Sequence, residues 1–191
     1  LSRPPGRPAP QIMTPLLVCI LSPDNGPLTE RAVASARALG LPARIGLTRL
    51  DIENAPASEA EIVAIPWQDD FAAARNALAA DANARYLLWL DSDEILDRFP
   101  AADWSAEQAP WLAVTIEDRA DMAPRAIVRI QRNDGRARWQ HAVHEELVLN
   151  ERETPGTLRI LEGALIRHSG YDDDAVIAAK MAHRVGVSAP H

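Results

Sequence analysis

Tyr86-Leu87-Leu88-Trp89-Leu90-Asp91-Ser92-Asp93-Glu94 is the segment that decides the reading of this chain. Its first residues are uniformly apolar and of strand length, which predicts a strand covered on both faces, as in the middle of a parallel sheet. The apolar run then stops at three carboxylates. In an open parallel sheet, ligands bind just beyond the carboxyl ends of the strands. Three carboxylates there, Asp91, Asp93 and Glu94, two of them at alternate positions, can converge on a hard divalent cation. Oxygen ligands suit Mg²⁺ or Mn²⁺, commonly shared with substrate phosphates. A solvated acidic turn closing a strand is the plainer alternative, and Asp-x-Asp alone does not separate the two.

On the N-terminal side, Leu16 to Leu21 is a second apolar run, followed by the turn residues Ser22-Pro23-Asp24-Asn25-Gly26. Pro27 can open a helix that continues from Leu28 to Leu39, with Gly40 as its C-terminal cap. Arg44 to Leu50 and Ile62 to Ile65 read as further strands. Asp69-Asp70 offer an N-cap to a helix from Phe71 to Ala82. On the C-terminal side, Trp111 to Ile116, Ala126 to Ile130 and Leu158 to Ile166 read as strands. Asp172-Asp173-Asp174 begin a predicted helix running to about Arg184, with acids favourably placed at its start. Strands alternating with helices predict an α/β fold, a single-domain open, mostly parallel sheet flanked by helices. Residues 1–13 hold four prolines and two arginines and read as a flexible N-terminal extension, with the domain over 14–191. A first residue Leu1 rather than Met points to a processed or incomplete N-terminus.

Composition narrows the function classes. The chain has 191 residues, 47% hydrophobic and 25% charged, ordinary for a globular domain. A net charge of −7 argues against broad binding to nucleic acid or anionic membrane, which want basic patches. The lone cysteine, Cys19, excludes an intramolecular disulfide and a cysteine-based zinc site, and reads as a small buried hydrophobe. No apolar run approaches the ~18 residues of a membrane span. The expected compartment is the cytoplasm, including a peripheral position on the inner face of the membrane.

Four pieces stand in order along the chain: Trp67-Gln68-Asp69-Asp70-Phe71-Ala72-Ala73-Ala74-Arg75-Asn76, then Trp89-Leu90-Asp91-Ser92-Asp93-Glu94, then Val143-His144-Glu145, then Ile166-Arg167-His168-Ser169-Gly170-Tyr171. Their order and spacing resemble the family 2 glycosyltransferases. More narrowly, they resemble the branch associated with cell-wall or lipopolysaccharide glycosylation. The resemblance spans about Leu16 to Tyr171. It implies the glycosyltransferase A-type fold, a nucleotide-binding α/β sandwich. It also implies a metal-dependent inverting transfer of sugar from a nucleotide-sugar to a glycan, lipid-linked or protein acceptor.

The same resemblance distributes roles. Asp91 and Asp93 match the metal-binding Asp-x-Asp, which holds Mg²⁺ or Mn²⁺ against the donor diphosphate. His168 matches a histidine that approaches the same metal or diphosphate; its alternative is a histidine capping a strand end. Arg75 matches an arginine expected to contact the donor nucleotide or phosphate, with a solvated helical arginine as its alternative. Asn76 beside it is expected near the donor or as a local hydrogen-bonding brace. Glu145 is the candidate base that takes the proton of the acceptor hydroxyl, with Glu146 as rival. Trp139 is either a stacking surface for an acceptor sugar or a core residue. His141 and His144 lack a third convergent ligand for zinc.

The chain also departs from the family pattern. Its second strand ends Thr48-Arg49-Leu50-Asp51-Ile52-Glu53-Asn54 without the family's Gly-Ser pair, so Asp51 is the stand-in for the nucleobase-contacting aspartate. The chain stops at His191, where family members often continue, as a truncated piece or a minimal member would. These departures motivate an alternative, a catalytically inactive glycosyltransferase-like domain that binds nucleotide or glycan. A nucleotidyltransferase would want a basic Gly-rich loop after the first strand, and Ser22 to Gly26 carries no Lys or Arg.

Overall fold

In a computed structural model, the apolar run Tyr86 to Leu90 lies in β4 (Ala84–Asp91), paired in parallel with β1 (Thr14–Ser22). The structure describes residues 13–49, 59–118, 122–150 and 158–168. Both strands are buried throughout their middles because alternate side chains feed two separate cores. Leu16, Val18 and Ile20 of β1 join Tyr86, Leu88 and Leu90 of β4 on one face, packed with Ala32, Val33 and Ala36 of α1 (Pro27–Ala38). Leu17, Cys19, Leu21, Leu87 and Trp89 point to the other face, packed with Ala72, Leu78 and Ala79 of α2 (Phe71–Ala80). A period of two with both faces apolar is what a central strand requires.

The helix start and stop signals read from the sequence are in place, although α1 ends at Ala38 rather than Leu39 and α2 at Ala80 rather than Ala82. Pro27 stands in the first turn of α1, and Gly40 follows the helix at φ +73, a conformation open to glycine at little cost. Asp70 caps α2, its Oδ1 accepting from the Ala73 N–H at 2.8 Å. Leu78 of α2 lies so close over Gly46 that a Cβ there would stand 3.0 Å from Leu78 Cδ2. Gly46 belongs to β2 (Ala43–Leu47), which pairs with β1 and, on its outer side, with β3 (Glu61–Ala64).

Beyond β4 the sheet becomes mixed. Its full order is β3-β2-β1-β4-β7-β6-β10-β5, with β5 (Glu94–Arg98), β6 (Trp111–Glu117), β7 (Arg125–Arg132) and β10 (Ile160–His168). β7 runs antiparallel to both β4 and β6, β10 parallel to β6, and β5 antiparallel to β10. Parallel pairings predominate, and helices flank the sheet, so the α/β class read from the sequence is the one observed. β5 is last in the order, yet only Ser92 and Asp93 separate it from β4. The sheet therefore curls until its far strand comes back to the end of β4.

Some elements were not expected. β5 pairs with β10, and a short hairpin of β8 (Ala137–Gln140) and β9 (Glu146–Leu149) stands apart from the main sheet. The last predicted strand is displaced to Ile160–His168. Residues 1–12, Asp51, and the predicted helix from Asp172 to about Arg184 lie outside the described residues. Among the described residues no helix is long and apolar enough to cross a membrane.

Candidate functional site

Asp91 is the last residue of β4 and shares the odd-numbered face with Leu87 and Trp89, so it emerges beneath α2. The α2 residue above it is Arg75. The Arg75 side chain is only 4% exposed, and its Nη2 donates to Asp91 Oδ1 at 2.6 Å. Its Nε donates to Glu145 Oε1 at 2.9 Å. The guanidinium lies 4.8 Å from the ring centre of Trp139 and 5.5 Å from that of Trp89, and these rings pack edge to face. A buried arginine is tolerable only when such partners replace water.

The second oxygen of Asp91 meets Arg129 on β7, Nη2 to Oδ2 at 3.2 Å, and the same Nη2 lies 2.6 Å from Oε1 of Glu94. Glu94 in turn accepts the backbone N–H of Asp91 through Oε2 at 2.8 Å. Glu145, Arg75, Asp91, Arg129 and Glu94 thus form one chain of alternating charge across the carboxyl end of β4. Burial alone would raise the Asp91 carboxyl, but Arg129 and then Arg75 hold it well below the usual carboxylate range. Burial pushes Glu94 up to about 7, against the pull of Arg129 and with the negative charge of Asp91 adding to the rise. Burial would lower Arg129, yet Asp91 and Glu94 raise it.

Asp93 faces a different neighbour. His168 ends β10, directly across from Glu94 in the antiparallel pairing, and its Nε2 lies 3.4 Å from Asp93 Oδ2. The structure thus brings Asp93 and His168 together, while both Asp91 oxygens are engaged by arginines. Glu94, which the opening segment offered as a third cation ligand, is instead turned inward at 1% side-chain exposure. The reason is the short turn at Ser92-Asp93, which starts β5 with Glu94 facing Arg129. Among the described residues no group of three His, Cys, Asp or Glu side chains is placed to hold a metal ion. Of this pair, the Asp93 carboxylate is the oxygen donor that a Mg²⁺ or Mn²⁺ ion takes, with water and phosphate completing such a shell, and His168 stands beside it.

Two cavities meet at Asp91 and Arg129. One, of about 440 Å³, is lined by Arg75, Trp139, Glu145, Glu146 and Leu147 among others. The second, of about 500 Å³, is lined by Glu94, Asp118, Arg125 and His168 among others. Ile127 also borders both. Both Glu145 and Glu146 line the first cavity, because Glu145 sits in the loop ahead of β9 and Glu146 begins the strand. Arg75 binds Glu145 through Oε1; among the described residues Oε2 accepts no hydrogen bond.

Asn76 uses its amide on the backbone of Trp139, donating to the carbonyl at 2.9 Å and accepting the N–H at 3.0 Å. This ties α2 to β8. Trp139 itself is buried. Arg129 was not singled out in the sequence. Its signal was a charge in the middle of an apolar strand, in Arg125-Ala126-Ile127-Val128-Arg129-Ile130, where a solvated edge would be the ordinary reading.

No protein-family model matches the chain. A TPR repeat-containing protein of Synechococcus elongatus is 29% identical over 91% of this chain and 46% of that protein. The chain spans less than half the length of the curated relative it matches. Two crystal structures of S. aureus TarS superpose with TM-scores of 0.41 at 7% and 8% identity. They cover 56% and 62% of this chain and 37% and 28% of those chains. HddC from Yersinia pseudotuberculosis superposes with a TM-score of 0.38 at 9% identity, over 79% of this chain and 88% of that one. These overlaps are distant, and the functional reading rests on the site's own residues.

Proposed function

We propose that the chain is a metal-dependent inverting glycosyltransferase domain that moves a sugar from a nucleotide-sugar to a saccharide, lipid-linked or protein acceptor. One observation carries the reading: a single guanidinium, Arg75, holds both the first Asp-x-Asp carboxylate, Asp91, and the candidate base, Glu145. The arrangement couples the carboxyl end of β4, where ligands of open sheets bind, to a carboxylate that borders an adjoining cavity.

In this reading Asp93, with His168 beside it, would hold the Mg²⁺ or Mn²⁺ that neutralises the donor diphosphate, whereas Asp91, expected as a further ligand, has its two oxygens on Arg75 and Arg129. The donor occupies the cavity beside His168 and the acceptor the cavity beside Glu145. Arg75 fixes Glu145 Oε1, which leaves Oε2 to accept the acceptor hydroxyl's proton as its oxygen attacks the anomeric carbon. The anomeric bond to the phosphate oxygen breaks, and the diphosphate leaves with the electron pair. Asp91 and Arg129 border both cavities, at the junction where the two reactants would meet. Arg75 and Asn76 act here as positioning residues, one on Glu145 and Asp91, the other on the hairpin that ends in the Glu145 loop. Asp51, as nucleobase contact, belongs to the same proposal.

The test is a thermal-shift screen of nucleoside diphosphates with and without Mn²⁺. A ligand at a hundred times its dissociation constant stabilises by roughly 2.7 kcal/mol, so a donor nucleotide stands out. No metal-dependent shift with any nucleoside diphosphate would remove the reading. A shift without turnover on any acceptor would favour the second reading, a binding-only domain. That alternative draws support from the ion pair that already engages Glu145.

A further inference from the structure

Trp67 and Phe71 are large aromatic side chains left in solvent, 38% and 42% exposed, in a protein whose other tryptophans are mostly buried. Their rings stand edge to face with centres 4.9 Å apart. The Trp67 Nε1–H donates to Asp69 Oδ1 at 3.0 Å, so its polar edge is satisfied within the turn and the ring has no further hydrogen bond to make. Neither residue contributes to the buried cores. The pair therefore stabilises little by its burial, and its placement needs another reason.

The surroundings are strained in one place. Asp69, His141 and His144 have φ of 54, 72 and 57, and they are the non-glycine residues with positive φ among the described residues. All belong to the two segments that meet here, since the Phe71 N–H donates to the Ala142 carbonyl at 3.0 Å. Strain of this kind persists where surrounding structure imposes it, and it clusters at ligand sites. The loop from His141 to His144 leads straight into Glu145. Phe71 stands one helical turn before Arg75, which binds Glu145. Val143 of the same loop is 61% exposed.

We propose that Trp67 and Phe71 form a stacking shelf for a sugar ring of the acceptor, beside the loop that carries Glu145. The proposal rests on the glycosyltransferase reading and adds the acceptor class, a neutral saccharide. A sugar ring presents an apolar C–H face bounded by hydroxyls. Two aromatic rings rimmed by the exposed polar residues Gln68, Asp69, His141 and His144 match both parts. A protein partner would need roughly 800 Å² on this side, far more than two rings and a valine offer. An anionic membrane would want Lys or Arg beside the aromatics, whereas Trp67 to Phe71 contains two aspartates and no base.

The experiment is an array of immobilised neutral oligosaccharides built from glucose, galactose, mannose and N-acetylglucosamine, probed with the full chain. The variants are Trp67→Ala, Phe71→Ala and Trp67→Phe. At least one oligosaccharide is expected to bind the unmodified chain. Each alanine variant should weaken that binding by about tenfold, and Trp67→Phe by no more than about threefold, since it keeps an aromatic face. All variants should unfold at the unmodified temperature and keep the Mn²⁺-dependent shift with nucleoside diphosphate. Binding that is unchanged in Trp67→Ala, or no binding to any neutral oligosaccharide, overturns the shelf. So does aromatic-dependent binding to phosphatidylglycerol vesicles alone. Loss of the nucleotide shift in the unmodified chain overturns the transferase reading instead, and is scored separately from the saccharide arm.

Discussion

Arg129 and Glu94 meet at 2.6 Å although their strands, β7 and β5, are separated in the sheet by β6 and β10. Such a contact requires the mixed half of the sheet to curl until β5 lies back against the end of β4. The turn at Ser92-Asp93 makes that return covalent, and the Arg129–Glu94 pair makes it electrostatic. Asp91 is placed at the seam, where two cavities share its carboxylate.

Asp93→Ala should abolish the Mn²⁺-dependent part of nucleoside-diphosphate stabilisation, roughly 2.7 kcal/mol at a hundredfold excess over the dissociation constant. His168→Ala should weaken it only in part, because the anionic oxygen ligand remains. A Mn²⁺ titration followed by thermal shift reads both. An unaltered Mn²⁺ dependence in Asp93→Ala would move the cation elsewhere.

Glu145→Gln keeps the side chain's shape and an oxygen for Arg75 but removes proton acceptance. Sugar transfer should fall by the ~10²–10⁴ typical of a lost general base, with nucleotide binding nearly intact. Steady-state transfer assays beside the thermal shift separate the two effects. Wild-type transfer by Glu145→Gln would pass the role to Glu146, which lines the same cavity.

Arg75→Met leaves Asp91 and Glu145 facing each other with their shared cation gone. Removing one partner of a fully buried ion pair costs about 3–5 kcal/mol, but Asp91 is 37% exposed and keeps Arg129, so the loss here should stay below about 3 kcal/mol. Urea denaturation should show a loss of that order. Arg75→Lys should recover only part of it, since an ammonium cannot present Nε and Nη2 to two carboxylates at once.

Cys19 lies fully buried among Leu17, Trp89 and Leu78, and burial pushes its thiol up to about 12. The thiolate is the reactive form, so at pH 8 the native protein should resist a thiol-specific disulfide reagent. Labelling should proceed at the rate of unfolding and become immediate in denaturant. Rapid stoichiometric labelling under native conditions would contradict this burial.

The legible parts of the fold are those specified locally. β1 and β4 are continuous apolar runs, and α1 and α2 carry their stop and start signals at Gly40 and Asp70. β5 was not legible, because Glu94-Ile95-Leu96-Asp97-Arg98 becomes a strand only by pairing with β10, far along the chain. The site divides in the same way. The sequence picks out Arg75, Asp91 and Glu145 one at a time by motif. That they bind one another depends on α2 crossing the end of β4 and on the Glu145 loop folding onto α2. Arg129 is invisible for a related reason: its acidic partners come from other strands, so only the assembled sheet shows why a charge is tolerated there.

The alternating row from Glu145 to Glu94 also bears on how this sequence can drift. Each inner member touches two opposite charges, so a single substitution strands a neighbour in a poorly hydrated place. Replacing two adjacent members together keeps the balance, and contacting residues of this kind depart strongly from additivity. Relatives of this chain should therefore differ along the row by paired exchanges, arginine and carboxylate leaving or arriving together, while single exchanges accumulate in the solvent-facing strands around it.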